Sequence, residues 1–517
     1  MRWPATAARA NPACAAPHHS NTAPTTPARL LSAPIASRAS VIPAGRKPMS
    51  DEMTTEQKEA FVAKLRKEVG NTGTPTIARD PVNQPMIRHW CDAMEDANPL
   101  YTDPDAATQG THGEIVAPPA MLNAWTMIGL VPRVNDPQDP ASGVYAMLDA
   151  AGYVGVVATN SEHVYHRYLR LGDHLTGTVK LVDVSEEKQT ALGIGHFVTT
   201  ETEYLNQTGE HVGSMFFRIL KFRPGTGRTA SNGGDEDSGA QRPPRPRPSR
   251  NQDTDFFWQG SRAGELRIQQ CLDCGRLQHP PGNRCPACGA TEMGYTTASG
   301  KGTLYSYVVA HHPRVPSFDY PLNIGLVELE EGVRLVTNIT DCDPDQLKVG
   351  MPLQAWHMQT HDDVSLPVFR PARVPRNATT VTFDEVSVGD ELPLCPIPLT
   401  PTLIVSTAIA SRDYQDVHHD RDMALKKGSE DIFMNILTSS GLSARYIGDW
   451  AGPDAVFKNL KIRLGAPNYP YDCMTMSGSV TDKREADGEA IAEVSFRGQN
   501  SRGPHVTGTV DLALPRA

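Results

Sequence analysis

SRDYQDVHHD at 411–420, followed by FMNILTSSGLSARYIG at 433–448, is the stretch on which the fold turns. An acid-rich loop leads into a run of small and apolar residues with the look of a short helix. Three alternating segments come after it: MTMSGSVTDK at 474–483, AIAEVSFRGQN at 490–500 and HVTGTVDLAL at 505–514. Alternation with a period of two indicates strands with one buried face. The shape expected is one helix enclosed by a long antiparallel sheet.

The same plan occurs a second time, nearer the N-terminus. DAMEDANPLYTD at 92–103 is its acid-rich loop, a helix is expected to start near PPAMLNAWTMIGLV at 118–131, and strands follow in HLTGTVKLVDV at 174–184 and HFVTTETEYL at 196–205. Between the copies lies a different kind of sequence, with the cysteines of CLDCGRLQHPPGNRCPAC at 271–288 and then short β segments.

At 517 residues the chain is long enough for about three or four domains. Its formal net charge is -10, with both signs interspersed, which does not favour nucleic acid. No apolar run reaches the roughly 18 to 20 residues that a membrane span needs. Nine cysteines, four of them in one group, read as a reducing compartment with one metal site rather than a disulfide framework. The expected setting is the cytoplasm.

Residues 1–52 are expected to be a disordered extension: up to Ser50 there is no Asp or Glu, and Arg, Ala, Ser, Thr and Pro dominate. Such a start reads either as a transit peptide or as a gene start placed too far upstream, with Met49 as the first residue. A second disordered stretch, the linker 224–253, is rich in Gly, Pro, Ser and charge, and its PRPRP run reads as a stiff spacer. PARVPRNATT at 371–380 makes a shorter break. Three folded blocks remain, at 53–223, 254–371 and 381–517.

The outer blocks resemble MaoC-type hot-dog domains. VTFDEVSVGDELP at 381–393 is similar to that family's opening hairpin, LRLGDHL at 169–175 to its strand-entry turn, and the Asp-x4-His spacing of Asp413 and His418 to its catalytic motif. The implied fold class is α+β, with two hot-dog domains flanking a zinc ribbon and an OB-fold β-barrel. The implied activity is hydration of an enoyl-CoA. That reaction needs a group to deprotonate water, a proton for C2 and stabilisation of charge on the thioester oxygen.

By the resemblance, Asp413 and His418 act on the water, although Gln415 and Asp416 replace the family's Asn-Pro pair. The oxyanion donor would be the backbone N–H of Asn435, where Met434 and Asn435 replace the family's His-Gly, and Ser443 would line the site. His419 and Asp420 read as solvated loop residues. In the first copy the loop has Asp96, Asn98 and Pro99 but Tyr101 in place of His. Its helix entry has Pro118 and Pro119, which lack an N–H. The 53–223 block is therefore expected to be catalytically degenerate, the alternative being a second site that uses Asp96 with His112, His163 or His166.

Cys271, Cys274, Cys285 and Cys288 form C-x2-C-x10-C-x2-C, with Gly275 and Gly289 closing two knuckles. Four thiolates and no open position imply a structural zinc; His279 reads as a loop residue. With FFWQGSRAGEL ahead of it at 256–266 and β segments after it, the block 254–371 resembles acyl-CoA-associated proteins that join a rubredoxin-like ribbon to an OB-fold. That resemblance implies docking onto a thiolase-like aldolase. An OB barrel can also bind single strands through aromatics, here Tyr305, Tyr307 and Trp356, but its strands carry few basic residues, so these read as core or contact residues.

The domain order resembles hydratases of bacterial steroid side-chain degradation, which implies a bulky steroid acyl-CoA substrate, no redox cofactor and an oligomeric assembly. Alternatives are a non-catalytic acyl-CoA scaffold and a hot-dog thioesterase. Lys461 and Arg463 could meet CoA phosphates, but a solvated strand face is the simpler reading.

Overall fold

The computed structural model describes residues 54–130, 139–227, 243–486 and 488–517. The expectations for 1–52 and for the middle of the 224–253 linker fall outside the described residues. Nine long strands dominate: β1 (Gly155–Tyr165), β2 (Thr176–Val184), β3 (Ile194–Leu205), β4 (His211–Phe222), β5 (Glu391–Leu399), β6 (Asn459–Leu464), β7 (Asp472–Ala486), β8 (Glu489–Asn500) and β9 (Gly503–Ala513). With three two-residue strands they make one antiparallel sheet of twelve, in the order β2-β3-β4-β1-β6-β9-β8-β7-β5. The two similar blocks meet at β1 and β6, where Leu460 pairs with His163 and Ile462 with Ser161.

The helices that matter are α1 (Thr55–Arg66), α2 (Gln84–Met94), α3 (Ser142–Ala150), α4 (Asp255–Arg262), α5 (Pro401–Ala410) and α6 (Ile436–Ala451). All of α6 except Trp450 is buried. Its sequence suits that position. Asn435 caps it, Gly452 at φ +91 ends it, and the hydroxyls of Ser439 and Ser443 bond to the carbonyls four residues back. At Gly441 a Cβ would come within 2.9 Å of Trp90 and Met94, so glycine is what lets α2 approach. One hydrophobic cluster runs through both blocks around α6, and a smaller one lies under α1 and α3 against β2 and β3.

The first block departs from the expected plan. Where a helix was expected to start, the described residues 118–130 hold a 3-10 turn, Pro119–Met121, followed by further turns. Met121, Leu122, Ala124 and Thr126 each donate to the residue three back, not four. Pro118 and Pro119 bring no N–H, Thr126 also turns its hydroxyl onto the carbonyl of Asn123, and Gly129 at φ +85 leaves helical space.

A three-stranded ribbon (Arg267–Cys271, Leu277–Gln278, Met293–Thr297) precedes a five-stranded barrel, Lys301–Ala310, Leu322–Leu329, Arg334–Asn338, Pro352–His361 and Val364–Pro371. A parallel bridge from Ile339 to Phe369 brings its outer strands together. The barrel sits against the outer face of β7 and β8, where Arg497 pairs with Asp343 at 2.8 Å and Thr475 donates to Asp341 O at 2.7 Å. The described end of the linker runs along the barrel, with Arg247 paired to Asp363 at 2.9 Å and the Arg245 guanidinium over Phe318. Among the described residues no helix is long and apolar enough to cross a membrane.

Candidate active site

Asp413 is delivered by the end of α5. Ser411 is the C-cap and Arg412 takes the left-handed conformation, φ +59. Arg412 N–H bonds to Ile409 O, and Asp413 N–H to Ala408 O. These two bonds form a Schellman turn. A non-glycine residue there carries strain of about 1–2 kcal/mol, and that strain sits immediately before the carboxylate. His418 ends a 3-10 turn, Asp416–His418, which is tied to the segment entering α6 by Phe433 N–H bonding to Val417 O.

The side chains converge. His418 Nδ1 lies 2.7 Å from Phe433 O, so the proton sits on Nδ1 and Nε2 presents a lone pair. That Nε2 is 3.5 Å from Asp413 Oδ2. Both groups are buried, at 5% and 8% exposure. Two acceptors facing each other at that distance, without a proton between them, suit a water that donates to both. Burial pushes the His418 imidazole below its ordinary value, against the opposing pull of the Asp413 carboxylate and of the bond to Phe433 O. The N-terminus of α6 lies alongside, where first-turn N–H groups and the positive dipole end favour developing negative charge.

The structure brings together Asp413, His418 and Asn435, the last donating from Nδ2 to Asp413 Oδ2 at 3.0 Å. That side-chain contact was missed by reading Asn435 for its backbone alone; its residue type signals the helix cap made by Oδ1, not the partner of Nδ2. Ser443 is elsewhere, eight residues along α6, about 12 Å of rise. Its hydroxyl bonds to Ser439 O at 2.7 Å. His419 is exposed, as expected. Lys461 and Arg463 are on the opposite face of the sheet from Leu460 and Ile462, which pack in the core around α6; Lys461 pairs with Glu162 at 2.9 Å.

The matching place in the first block is closed. Asp96 is buried and paired with Arg376 at 2.8 Å, and Arg376 also meets Asp449 at 3.0 Å and donates to Gly448 O. Burial raises the Asp96 carboxyl above its ordinary value, and Arg376 opposes the shift. Tyr101, Pro118, Pro119 and the second half of α6 leave a cavity of about 10 Å³ there, room for one water at most. The candidate histidines turn elsewhere: His112 stacks on Tyr168, His163 contacts the Tyr165 hydroxyl, and His166 packs on His211.

The four ribbon cysteines stand with their sulfurs within 4.8 Å of one another, and two pairs are 3.6 Å apart. Zinc–sulfur bonds of about 2.3 Å in a tetrahedron require sulfurs a little under 4 Å apart, so the donor set fits zinc. Gly275 and Gly289, both at positive φ, close knuckles by bonding to Cys271 O and Cys285 O. His279 is not one of the cluster. The aromatics of the barrel serve the barrel: Arg334 lies 3.5 Å over Tyr305, and Trp356 Nε1 donates to Thr340.

Residues 69–215 match the family model of the FAS1-like dehydratase domain region, 258–294 that of the ChsH2 rubredoxin-like zinc ribbon, and 295–357 that of the ChsH2 C-terminal OB-fold. A probable enoyl-CoA hydratase alpha subunit of Thermomonospora curvata is 43% identical over 320 residues, 61% of this chain and 97% of the relative. The 3-oxo-4,17-pregnadiene-20-carboxyl-CoA hydratase alpha subunit of Mycobacterium tuberculosis is 45% identical over 289 residues, 56% of this chain and 90% of the relative. The beta subunit of that hydratase is 52% identical over 127 residues, 25% of this chain and 95% of the relative. The chain belongs to the family of enoyl-CoA hydratase alpha subunits, and its ribbon and barrel are of the ChsH2 type.

Proposed function

We propose that this chain adds water across the double bond of an α,β-unsaturated acyl-CoA, at Asp413 and His418. The observation that carries the reading is the buried pair of acceptors, 3.5 Å apart, beside the capped N-terminus of α6. A water donating to Asp413 Oδ2 and His418 Nε2 attacks C3 and gives up one proton to this pair. The electrons of the double bond move to C2 and the thioester oxygen. The oxygen's charge is met by the backbone N–H of Asn435 at the helix entry. A proton returned to C2 completes the hydration.

The molecule is then two MaoC-like hot-dog halves flanking the ribbon and barrel, with the 381–517 half catalytic and the 53–223 half degenerate. It would combine in one chain what the tuberculosis enzyme carries as alpha and beta subunits. The name of that enzyme supports a steroid acyl-CoA as substrate. The cysteines of the ribbon would hold a structural zinc, and the barrel would dock a thiolase-like aldolase that cleaves the product alcohol.

The test is a spectroscopic hydration assay with steroid enoyl-CoA and crotonyl-CoA, run with a thiol-reactive dye. Asp413→Asn and His418→Ala are expected to lose about 100-fold or more in rate while remaining folded. Unchanged rates would leave a scaffold, release of free CoA would mean a thioesterase, and preference for crotonyl-CoA would remove the steroid.

A further inference from the structure

Asn435 enters the reading above only through its backbone, yet both ends of its side-chain amide are engaged. Oδ1 accepts from Thr438 N–H at 2.7 Å, which caps α6. That bond sets the amide's orientation, because the flipped amide would point its NH2 at another N–H. Nδ2 therefore faces the loop, where it donates to Ser411 Oγ and to Asp413 Oδ2, each at 3.0 Å. Ser411 Oγ donates its own proton to Ala408 O, so toward Asn435 it can only accept. Asn435, Ser411 and Asp413 are all buried.

We infer that the Asn435 side chain is the positioning residue for the Asp413 carboxylate, coupling the cap of α6 to the base of the reaction. The oxygen it holds, Oδ2, is the one that faces His418 Nε2. One lone pair of Oδ2 takes the amide proton and the other is left for the water. Gln415 N–H, at 3.4 Å from Oδ1, is a weaker constraint, so the amide of Asn435 sets the carboxylate's rotation. The helix that offers N–H groups to the thioester oxygen and the carboxylate that meets the water are thereby registered to each other through one side chain.

This inference rests on the hydratase reading, and Asn435→Asp tests it separately. Aspartate caps a helix as well as asparagine does, but it puts an acceptor where Asp413 needs a donor. Two carboxyls sharing one site hold a proton to higher pH. Hydration rate against pH is measured on the whole chain for wild type, Asn435→Asp and Asn435→Ser, with thermal unfolding followed over the same range.

For Asn435→Asp the expected results are a kcat near pH 7 lower by about tenfold or more, KM little changed, and an acidic limb displaced upward by roughly one pH unit or more. Its unfolding temperature relative to wild type is expected to fall as pH rises above about 4, because the folded pair binds its proton more tightly than the unfolded chain does. Asn435→Ser, with a cap oxygen but no reach to Asp413, loses rate without the displaced limb. Asn435→Asp with the rate, pH profile and unfolding behaviour of wild type overturns the proposal and leaves the hydratase reading standing. Failure of that reading shows instead as a wild type that hydrates nothing, and the unfolding arm then decides the Asn435–Asp413 contact without substrate.

Discussion

His418 works as an acceptor because two contacts divide its ring. Phe433 O holds the proton on Nδ1, and burial keeps Nε2 unprotonated to lower pH than an exposed imidazole, whose pKa is about 6.5. The acidic limb of the hydration rate that reports His418 is therefore expected below pH 6.5. An imidazole that binds its proton more weakly folded than unfolded stabilises the fold above about pH 6.5, and that contribution is lost as pH falls. Denaturant titrations should show wild type losing stability below pH 6.5 more steeply than His418→Gln. The pairing of Asp413 with His418 was legible through the resemblance of their Asp-x4-His spacing to the family motif, and the contact is made within one loop. The Asn435 amide was not, because a capping residue type says which helix atom it meets and nothing of what its other end faces.

At the scale of elements, α6 and α2 pack through Gly441. A methyl there meets Trp90, whose indole is buried and cannot retreat as the end of Met94 can. Gly441→Ala is expected to cost about 1–3 kcal/mol of stability in equilibrium denaturation. Strands were readable where alternation survives: β6 buries Leu460 and Ile462 and exposes Lys461 and Arg463, whereas β4 and β7 each bury four residues in a row. The first-block helix was misread. From Ala120 to Trp125 its residues are buried and, except for Asn123, apolar, as those of a helix would be, but burial alone does not require an i to i−4 ladder.

Across the whole molecule, the break at 371–380 is a strap. Arg373 bonds to Glu95 and Asp449, and Arg376 to Asp96, Asp449 and Gly448, so the segment joining barrel to last block closes the place around Asp96 in the first. Arg376→Met strands the buried Asp96 carboxylate, while Asp449 keeps Arg373, and is expected to cost about 3–5 kcal/mol. Adding Asp96→Asn should restore part of that loss in a double-mutant cycle, and full additivity would mean the two side chains are uncoupled.

The sequence by itself determined the local features: alternating strands, the four-cysteine knuckles, the Asp413–His418 loop, and a first copy lacking the histidine. These depend on neighbours in the chain, where residue type and spacing limit the geometry. Only the tertiary structure decided that both copies share one sheet through β1 and β6, that Arg376 fills the place beside Asp96, and that Asn435 holds Asp413. Such contacts join residues far apart in sequence, and chain closure, packing space and desolvation select them together.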